Sequence, residues 1–598
     1  MPIISIYSQN DHLSCVLSLY SPFLLLLWYF SAACGNHQSK PNIIFIIADD
    51  LGWNDVGFRG SNQFPTPNID ALAYNGIVLD RHYTLPSCSP SRTAFLTGKY
   101  PIRTGMQGVP IAAGHPVALP LNETLLPEYL QRLGYVTRLV GKWHVGCHRS
   151  DYTPTRRGFH SYFGYLNGFL SYKNATHASH RTHGFDSYRN LQRNRLEVEG
   201  RYLTEVFTKE AVDLIKQHNK DVPLFLVLSH LAVHTGAPGS LEVKDEKKNE
   251  KKFGYISHPR RRLFAGMAES LDASVGKVIE ALESKNLLQN SIVVFLSDNG
   301  GPTVDPLWNH DNTASNWPLR GTKMSPYEGG IRGVAAAWSP RFKHLGRTSH
   351  NLIHITDWLP TLYAAAGGDE DILKGIDGIN QWSNLVYNDA KRPPRTQLLV
   401  NIDEKIGDWA VIKNQWKLVK VNESGKFEFT HHYYGESGRG KEYRTYHMDQ
   451  VIGSPVSRIF QRYHDSDHPD PNDGRSGEPR EKYLRRRLSL SEELINRCAE
   501  RIAVVSNEDP YAPPNNTTGA AASAEVRCGN DACLFNIDED PCEFKNVADQ
   551  HPSIVNELYQ LFSKYNSELV KQQEAGFDPA ADPINWAGYW APWRDFID

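Results

Sequence analysis

A chain of 598 residues, 40% apolar and 22% charged, is long enough for a large buried core with room for a second, smaller domain. Its formal net charge of −3 excludes general electrostatic attraction for nucleic acid or an anionic membrane surface, so partners must be argued from a specific site.

The first segment differs from the rest. The apolar run Pro22–Phe30 is followed by the small residues Ser31, Ala32, Ala33, Cys34 and Gly35, the pattern of a cleaved secretory signal over 1–34. No Lys or Arg precedes the run, and extension back through Val16 and Leu17 approaches the length of a spanning helix, so an uncleaved anchor is the alternative. A first core strand starting near Pro41 leaves little linker for an anchor, and no stable membrane attachment is expected. Secretion permits glycosylation at the sequons of Asn122, Asn174, Asn422, Asn515 and Asn516, and it permits disulfides. Cys88, Cys147, Cys498, Cys528, Cys533 and Cys542 remain after cleavage. Setting Cys88 aside for chemistry leaves an odd count, whose pairing the spacing does not determine.

Four apolar runs then read as strands buried on both faces: Asn42 to Ala48, Val136 to Val140, Pro223 to Leu228 and Ser291 to Leu296. Helical patterns lie between them, at Leu125 to Leu133 and Leu263 to Leu282. Each strand run ends in polar residues: Asp49-Asp50, Gly141-Lys142-Trp143-His144, Ser229-His230 and Ser297-Asp298-Asn299. Ligands of such sheets bind outside the carboxyl ends of the strands, where all four clusters fall. The reading is an α/β catalytic domain over 40–378, followed over 379–598 by a smaller domain. In the latter, short strands at Gln397 to Val400 and Trp416 to Val421 precede a long polar insertion, about 423–527. The insertion carries a helix pattern around 491–505 and the basic run Arg485-Arg486-Arg487; order resumes at Cys533 to Asp538 and in a helix near Ser553 to Tyr565.

Between the first two strands, Cys88-Ser89-Pro90-Ser91-Arg92-Thr93-Ala94-Phe95-Leu96-Thr97-Gly98 reads as a short helix with Pro in its first turn and Gly just past its end. Cys88 then sits at the positive end of the helix dipole, where free N–H groups favour an anion. Adjacent carboxylates at two strand ends, Asp49-Asp50 and Asp298-Asn299, are hard oxygen donors suited to Ca²⁺, with Mg²⁺ the nearest competitor.

Cys-x-Pro-Ser-Arg with Ala-x-Leu-Thr-Gly, and Gly134-Tyr135-Val136-Thr137-Arg138-Leu139-Val140-Gly141-Lys142-Trp143-His144, resemble the two signatures of the sulfatase family. The resemblance runs from about Lys40 to the C-terminus. It is closest to the arylsulfatase B (N-acetylgalactosamine-4-sulfatase) group, through Asn316–Gly321, Tyr327–Gly333, His354–Thr361 and Trp590-Ala591-Pro592-Trp593. It implies an alkaline-phosphatase-like sandwich with a large mostly parallel sheet flanked by helices, plus a smaller C-terminal domain with an antiparallel sheet. It also implies that a formylglycine-generating enzyme converts Cys88 to formylglycine (3-oxoalanine), whose aldehyde hydrate is the nucleophile. One calcium ion would be held by Asp49, Asp50, Asp298, Asn299 and residue 88. Lys142, His234 and Lys323 would bind the sulfate oxygens, Arg92 would support the hydrate, His234 would protonate the leaving alcohol, and His144 would release sulfate from residue 88.

His230, one turn from His234, is the competing histidine, because the family's His-Glu-Pro is here His234-Thr235-Gly236. Cysteines the family keeps between Gly108 and Leu119 are absent, and the 423–527 region is longer. The expected substrate is a sulfated carbohydrate or aryl sulfate, and the expected location is the secretory pathway, lysosomal or extracellular. A small-conjugate sulfatase and a non-catalytic glycan-binding homologue are the alternatives; a phosphoesterase is disfavoured by the cysteine.

Overall fold

The computed structural model describes residues 39–236, 239–305, 307, 310–388, 393–423, 425–431, 435, 448–467, 494, 497, 498, 528 and 531–596. The secretory signal, most of the 491–505 helix pattern, the run at 485–487 and the sequons at 515 and 516 lie outside the described residues. Among the described residues no helix is long and apolar enough to cross a membrane.

Among the described residues the central sheet has ten strands, in the order Arg347–Ser349, Ile77–Leu79, Ala335–Trp338, Ser291–Ser297, Asn42–Ala48, Leu224–Ser229, Val136–Lys142, Ser161–Tyr165, Tyr188–Arg189, Gln192–Arg193. Its middle is parallel: Asn42–Ala48 pairs with Ser291–Ser297 on one side and Leu224–Ser229 on the other, and the latter pairs with Val136–Lys142. These are the four runs legible as apolar sequence. Every residue of Asn42–Ala48 is buried, which is why Ile43–Ala48 is continuously apolar rather than alternating. The flanking strands Ala335–Trp338 and Tyr188–Arg189 join antiparallel. At two to four residues they carry too little periodicity to read from sequence.

Register does the positioning. Ala48 lies opposite Ser297, Ile47 opposite Ser229, and Ser229 opposite Gly141. The residues that follow these strands, Asp49-Asp50, Asp298-Asn299 and Lys142, therefore emerge side by side. The glycines keep that register tight: a Cβ on Gly141, where φ is +100°, would lie 1.8 Å from the Ser229 carbonyl oxygen. Helices cover the sheet. Leu203–Gln217 buries Leu203, Phe207, Ala211 and Ile215 at helical spacing and packs on the long helix Pro259–Ser284.

A second, antiparallel sheet is built from Gln397–Asp403, Asp408–Lys413, Trp416–Lys420 and Cys533–Asn536 in that order. The helix Pro552–Ser567 packs on it, with the Trp409 and Phe562 rings stacked 4.0 Å apart. Two disulfides, Cys498–Cys542 and Cys528–Cys533, pair four of the five cysteines left after Cys88. The odd thiol is Cys147, buried and raised in pKa by burial, an inert setting.

Candidate active site

Cys88 opens the helix Cys88–Thr97, and Gly98 closes it at φ +67°, its N–H donating to the Ala94 carbonyl. The whole helix is buried, so its N-terminal dipole acts in a low-dielectric setting. The Cys88 thiol is itself buried, and burial pushes its pKa up. Lys142 and Lys323 pull it down, while Asp49 and Asp298 add to the rise. The balance leaves a thiol rather than a thiolate, a poor nucleophile as it stands.

Around it the strand ends meet. Lys142 Nζ donates to Asp49 Oδ2 at 2.6 Å. Lys323 Nζ donates to both oxygens of Asp50, at 2.7 and 2.8 Å, and Asn299 Nδ2 donates to Asp50 Oδ1 at 2.7 Å. The Asp50 N–H reaches Asp298 Oδ1 at 3.3 Å. Arg92 Nη2 donates to Asp298 Oδ2 at 2.8 Å, and its Nη1 donates to Ser229 Oγ at 2.5 Å. Arg92 thus clamps Asp298 from one helical turn beyond Cys88. Asp50 sits at φ +62° and His144 at φ +59°, left-handed conformations that non-glycine residues adopt at a cost and that recur at functional sites.

The electrostatics follow from burial and pairing. Burial raises the pKa of Asp49, Lys142 opposes it, and Asp298 and Asp50 raise it further, so its carboxyl is pushed up to about 7. Asp50 is equally buried, but Lys323 and His234 overcome burial and hold it well below the usual carboxylate range. Burial likewise works against the Lys323 ammonium, and Asp50 and Cys88 more than offset it, keeping lysine charged. His144 is held neutral, first by burial and then by Lys142.

The structure brings together every site residue expected from sequence, with one change of emphasis. The tight set of potential metal donors among the described residues is Asp49, Asp50 and His234, whose ligand atoms lie within 4.8 Å of one another. Asp298 and Asn299 adjoin this set through hydrogen bonds to Asp50. His234 Nε2 is 3.2 Å from Asp50 Oδ2 and 3.4 Å from Lys323 Nζ. His230 is elsewhere: its Nε2 meets Ser274 Oγ at 2.8 Å in the core, and burial pulls its pKa down to about 3. A cation fits the acidic pocket, because Asp49 Oδ1 and Asn299 Oδ1 are buried oxygens without a hydrogen-bond partner, and all the donors but His234 are hard oxygens.

Several participants carried no signal in sequence. The Ile111 carbonyl accepts from His144 Nε2 at 2.9 Å, and Ser297 Oγ accepts from the Leu51 N–H at 3.0 Å. Phe169 stacks on His234 at 5.6 Å and lies 4.7 Å from the ring of His310. A backbone carbonyl or a lone Phe in a loop has no pattern to find.

Fold and site define an alkaline-phosphatase-like α/β protein, with a buried pocket of carboxylates and cationic side chains at the carboxyl ends of its central strands. The chain belongs to the sulfatase family: the family model "Sulfatase" matches residues 41–368. It is 33% identical to mouse arylsulfatase J over 568 residues, covering 93% of this chain and 80% of that protein. It is 32% identical to human N-acetylgalactosamine-6-sulfatase over 369 residues, 58% of this chain and 66% of that one. Among solved structures, that of Ps i-CgsB superposes with a TM-score of 0.64 at 26% identity, over 92% of this chain and 97% of its own. These relatives establish the family; their names do not single out the arylsulfatase B group, which the sequence motifs had suggested.

Proposed function

We propose that the protein hydrolyses sulfate esters of carbohydrates through a formylglycine made from Cys88, with a calcium ion held at Asp49, Asp50, Asp298 and Asn299. The observation that carries this reading is the setting of Cys88: an unactivated thiol at a buried helix N-terminus, with Lys142 and Lys323 nearby and a carboxylate pocket around it. Conversion would supply an oxygen nucleophile in place of the thiol, and a bound calcium would supply positive charge to favour the ionised nucleophile and the sulfate oxygens.

The chain's own groups divide the remaining work. His144 Nε2–H donates to the Ile111 carbonyl, which leaves Nδ1 with a free lone pair, and Nδ1 is a buried atom with no partner. A neutral imidazole so fixed is set to take a proton at Nδ1. His234 donates from Nδ1 to the Thr235 carbonyl at 2.8 Å, so its Nε2 faces the Lys323 ammonium. His234 would act on the leaving alcohol from that Nε2, while Lys323, kept charged by Asp50, stays protonated. Lys142 and Lys323 are held by Asp49 and Asp50 and would turn their remaining N–H donors to the sulfate oxygens.

Maturation requires a formylglycine-generating enzyme, and the reading places the protein in the secretory pathway, lysosomal or extracellular. Two of the relatives are named for a galactosamine sulfate and for aryl sulfates, which favours a sulfated N-acetylgalactosamine or a related sugar. Mass spectrometry of the residue-88 peptide tests it, alongside turnover of 4-nitrocatechol sulfate and of 4- and 6-sulfated N-acetylgalactosamine. A peptide about 18 Da lighter than the cysteine form, where ordinary thiol oxidation adds mass, together with turnover, supports the reading. Unmodified cysteine without turnover, from a host that modifies another sulfatase, leaves a glycan-binding homologue.

A further inference from the structure

Outside the pocket, two imidazoles from distant parts of the chain meet. His115 Nε2 and His180 Nε2 are 3.0 Å apart, with ring centroids 5.0 Å apart and planes inclined by 31°. His180 lies at the tip of a hairpin, Thr176–Ser179 with Thr182–Phe185, in a two-residue turn formed with Arg181. Both turn residues have positive φ, +48° and +66°. Such turns favour Asn-Gly, because a side chain at positive φ meets steric resistance. His-Arg there is a choice the turn itself does not want, and strain of this kind points toward function.

The pair is supported from below. Phe577 lies under His180, with ring centroids 4.8 Å apart, and fills the space beside Gly114, where a Cβ would come within 2.5 Å of the Phe577 ring. His115 also makes a backbone hydrogen bond with Ala575. Burial and the proximity of His180 hold His115 below the ordinary histidine pKa, so its ring is neutral and its lone pair available. A cavity of about 250 Å³ opens beside it, lined by Ile111, His115, Lys405 and Glu574 among others. Glu574 is engaged with Lys405 at 2.9 Å, and Asp403, the other carboxylate of the lining, accepts from the Lys405 and Ile406 N–H groups at 3.1 Å.

We propose that His115 and His180 form a second metal site, for a borderline first-row cation such as Zn²⁺, distinct from the oxygen-rich pocket at Asp49 and Asp50. Two zinc–nitrogen bonds of about 2.0–2.1 Å at a tetrahedral angle place their donors about 3.3 Å apart, close to the separation observed. In the metal-free pair one Nε2–H donates to the other Nε2. Moving that proton to Nδ1 within the same ring frees the second lone pair, so binding needs no net loss of a proton. Imidazole selects zinc, copper or nickel over calcium, and two protein donors leave the other positions to water, giving an exchangeable site.

The consequence follows from what the two segments carry. The loop bearing His115 also bears Ile111, whose carbonyl holds His144. The hairpin bearing His180 also bears His177, whose ring lies 4.3 Å from Phe169, the residue stacked on His234. Zinc at the pair ties these two segments together, each linked by contacts to a site histidine, and so slows turnover.

Zinc titration of the calcium-loaded full-length protein by calorimetry, at neutral pH, tests the site against His115→Gln, His180→Gln and the double variant. Glutamine keeps a polar group at each position, and both residues lie outside the catalytic groups, so turnover without zinc stays unchanged and reports folding. The expected result is a site weakened by at least roughly tenfold in each single variant, with zinc inhibition of turnover relieved in parallel. Equal zinc affinity in the native protein and the double variant overturns the proposal, and leaves the assignment of the sulfate-ester site as it stands.

Discussion

Replacing Arg92 by alanine tests the core of the site, and the structure sets the size of the effect. The guanidinium is 4% exposed and its partner Asp298 is 1% exposed, joined at 2.8 Å, with Asp49 Oδ1 4.0 Å from the same Nη2. Burial opposes the arginine charge, but Asp298, Asp49 and Cys88 raise its pKa above the ordinary value, so the guanidinium stays charged. Removing one member of a buried pair leaves the other charge uncompensated, at a cost of about 3–5 kcal/mol. Asp298→Asn should cost a similar amount, because it strands the guanidinium. The double variant Arg92→Ala/Asp298→Asn should be about as stable as either single variant, a coupling of at least about 2 kcal/mol. Unfolding in denaturant, or unfolding rates at fixed denaturant, would be measured with divalent cations chelated, so that lost metal binding does not enter. Single-variant effects that add to within about 0.5 kcal/mol would show that the clamp is not the unit described.

Further outcomes follow from other positions. His144→Asn keeps a residue tolerant of the left-handed backbone and should fold, while turnover falls roughly 10²–10⁴-fold; turnover within a few-fold of native would remove His144 from the chemistry. Gly141→Ala drives a Cβ into the Ser229 carbonyl and should destabilise by more than about 4 kcal/mol, seen as loss of soluble protein. Glu543 is buried beside Lys417 and Glu328; burial lifts its pKa, Lys417 opposes and Glu328 adds, bringing it to about 7 from an ordinary 4.5. Between those values the folded chain keeps a proton the unfolded chain has released, so stability contributed by this group is present below about 4.5 and lost as pH rises through about 7. Glu543→Gln should flatten that part of the thermal midpoint's pH profile, and an unchanged slope would refute the assignment.

Sequence alone was enough for the parts of this protein whose physics is local. A strand buried on both faces is apolar through its interior, so Ile43–Ala48 and Ile292–Leu296 announce themselves, and the polar residues after them mark the strand ends where the candidate site lies. The helix at Cys88 is written in its own Pro and Gly. The edge strands, the place of His234 beside Asp49 and Asp50, the rejection of His230 and the carbonyl that orients His144 were not legible, because each depends on a partner far along the chain or on a backbone atom with no side-chain signature. Asp50 and Asn299 are 249 residues apart, and only the parallel register of their two strands brings them within 2.7 Å. His115 and His180 likewise meet only because a loop and a hairpin are folded against Phe577. Residue types told which chemistry the chain could carry; tertiary structure decided which of those residues share one pocket, since hydrogen bonds and charges act over a few ångströms of space and not along the sequence.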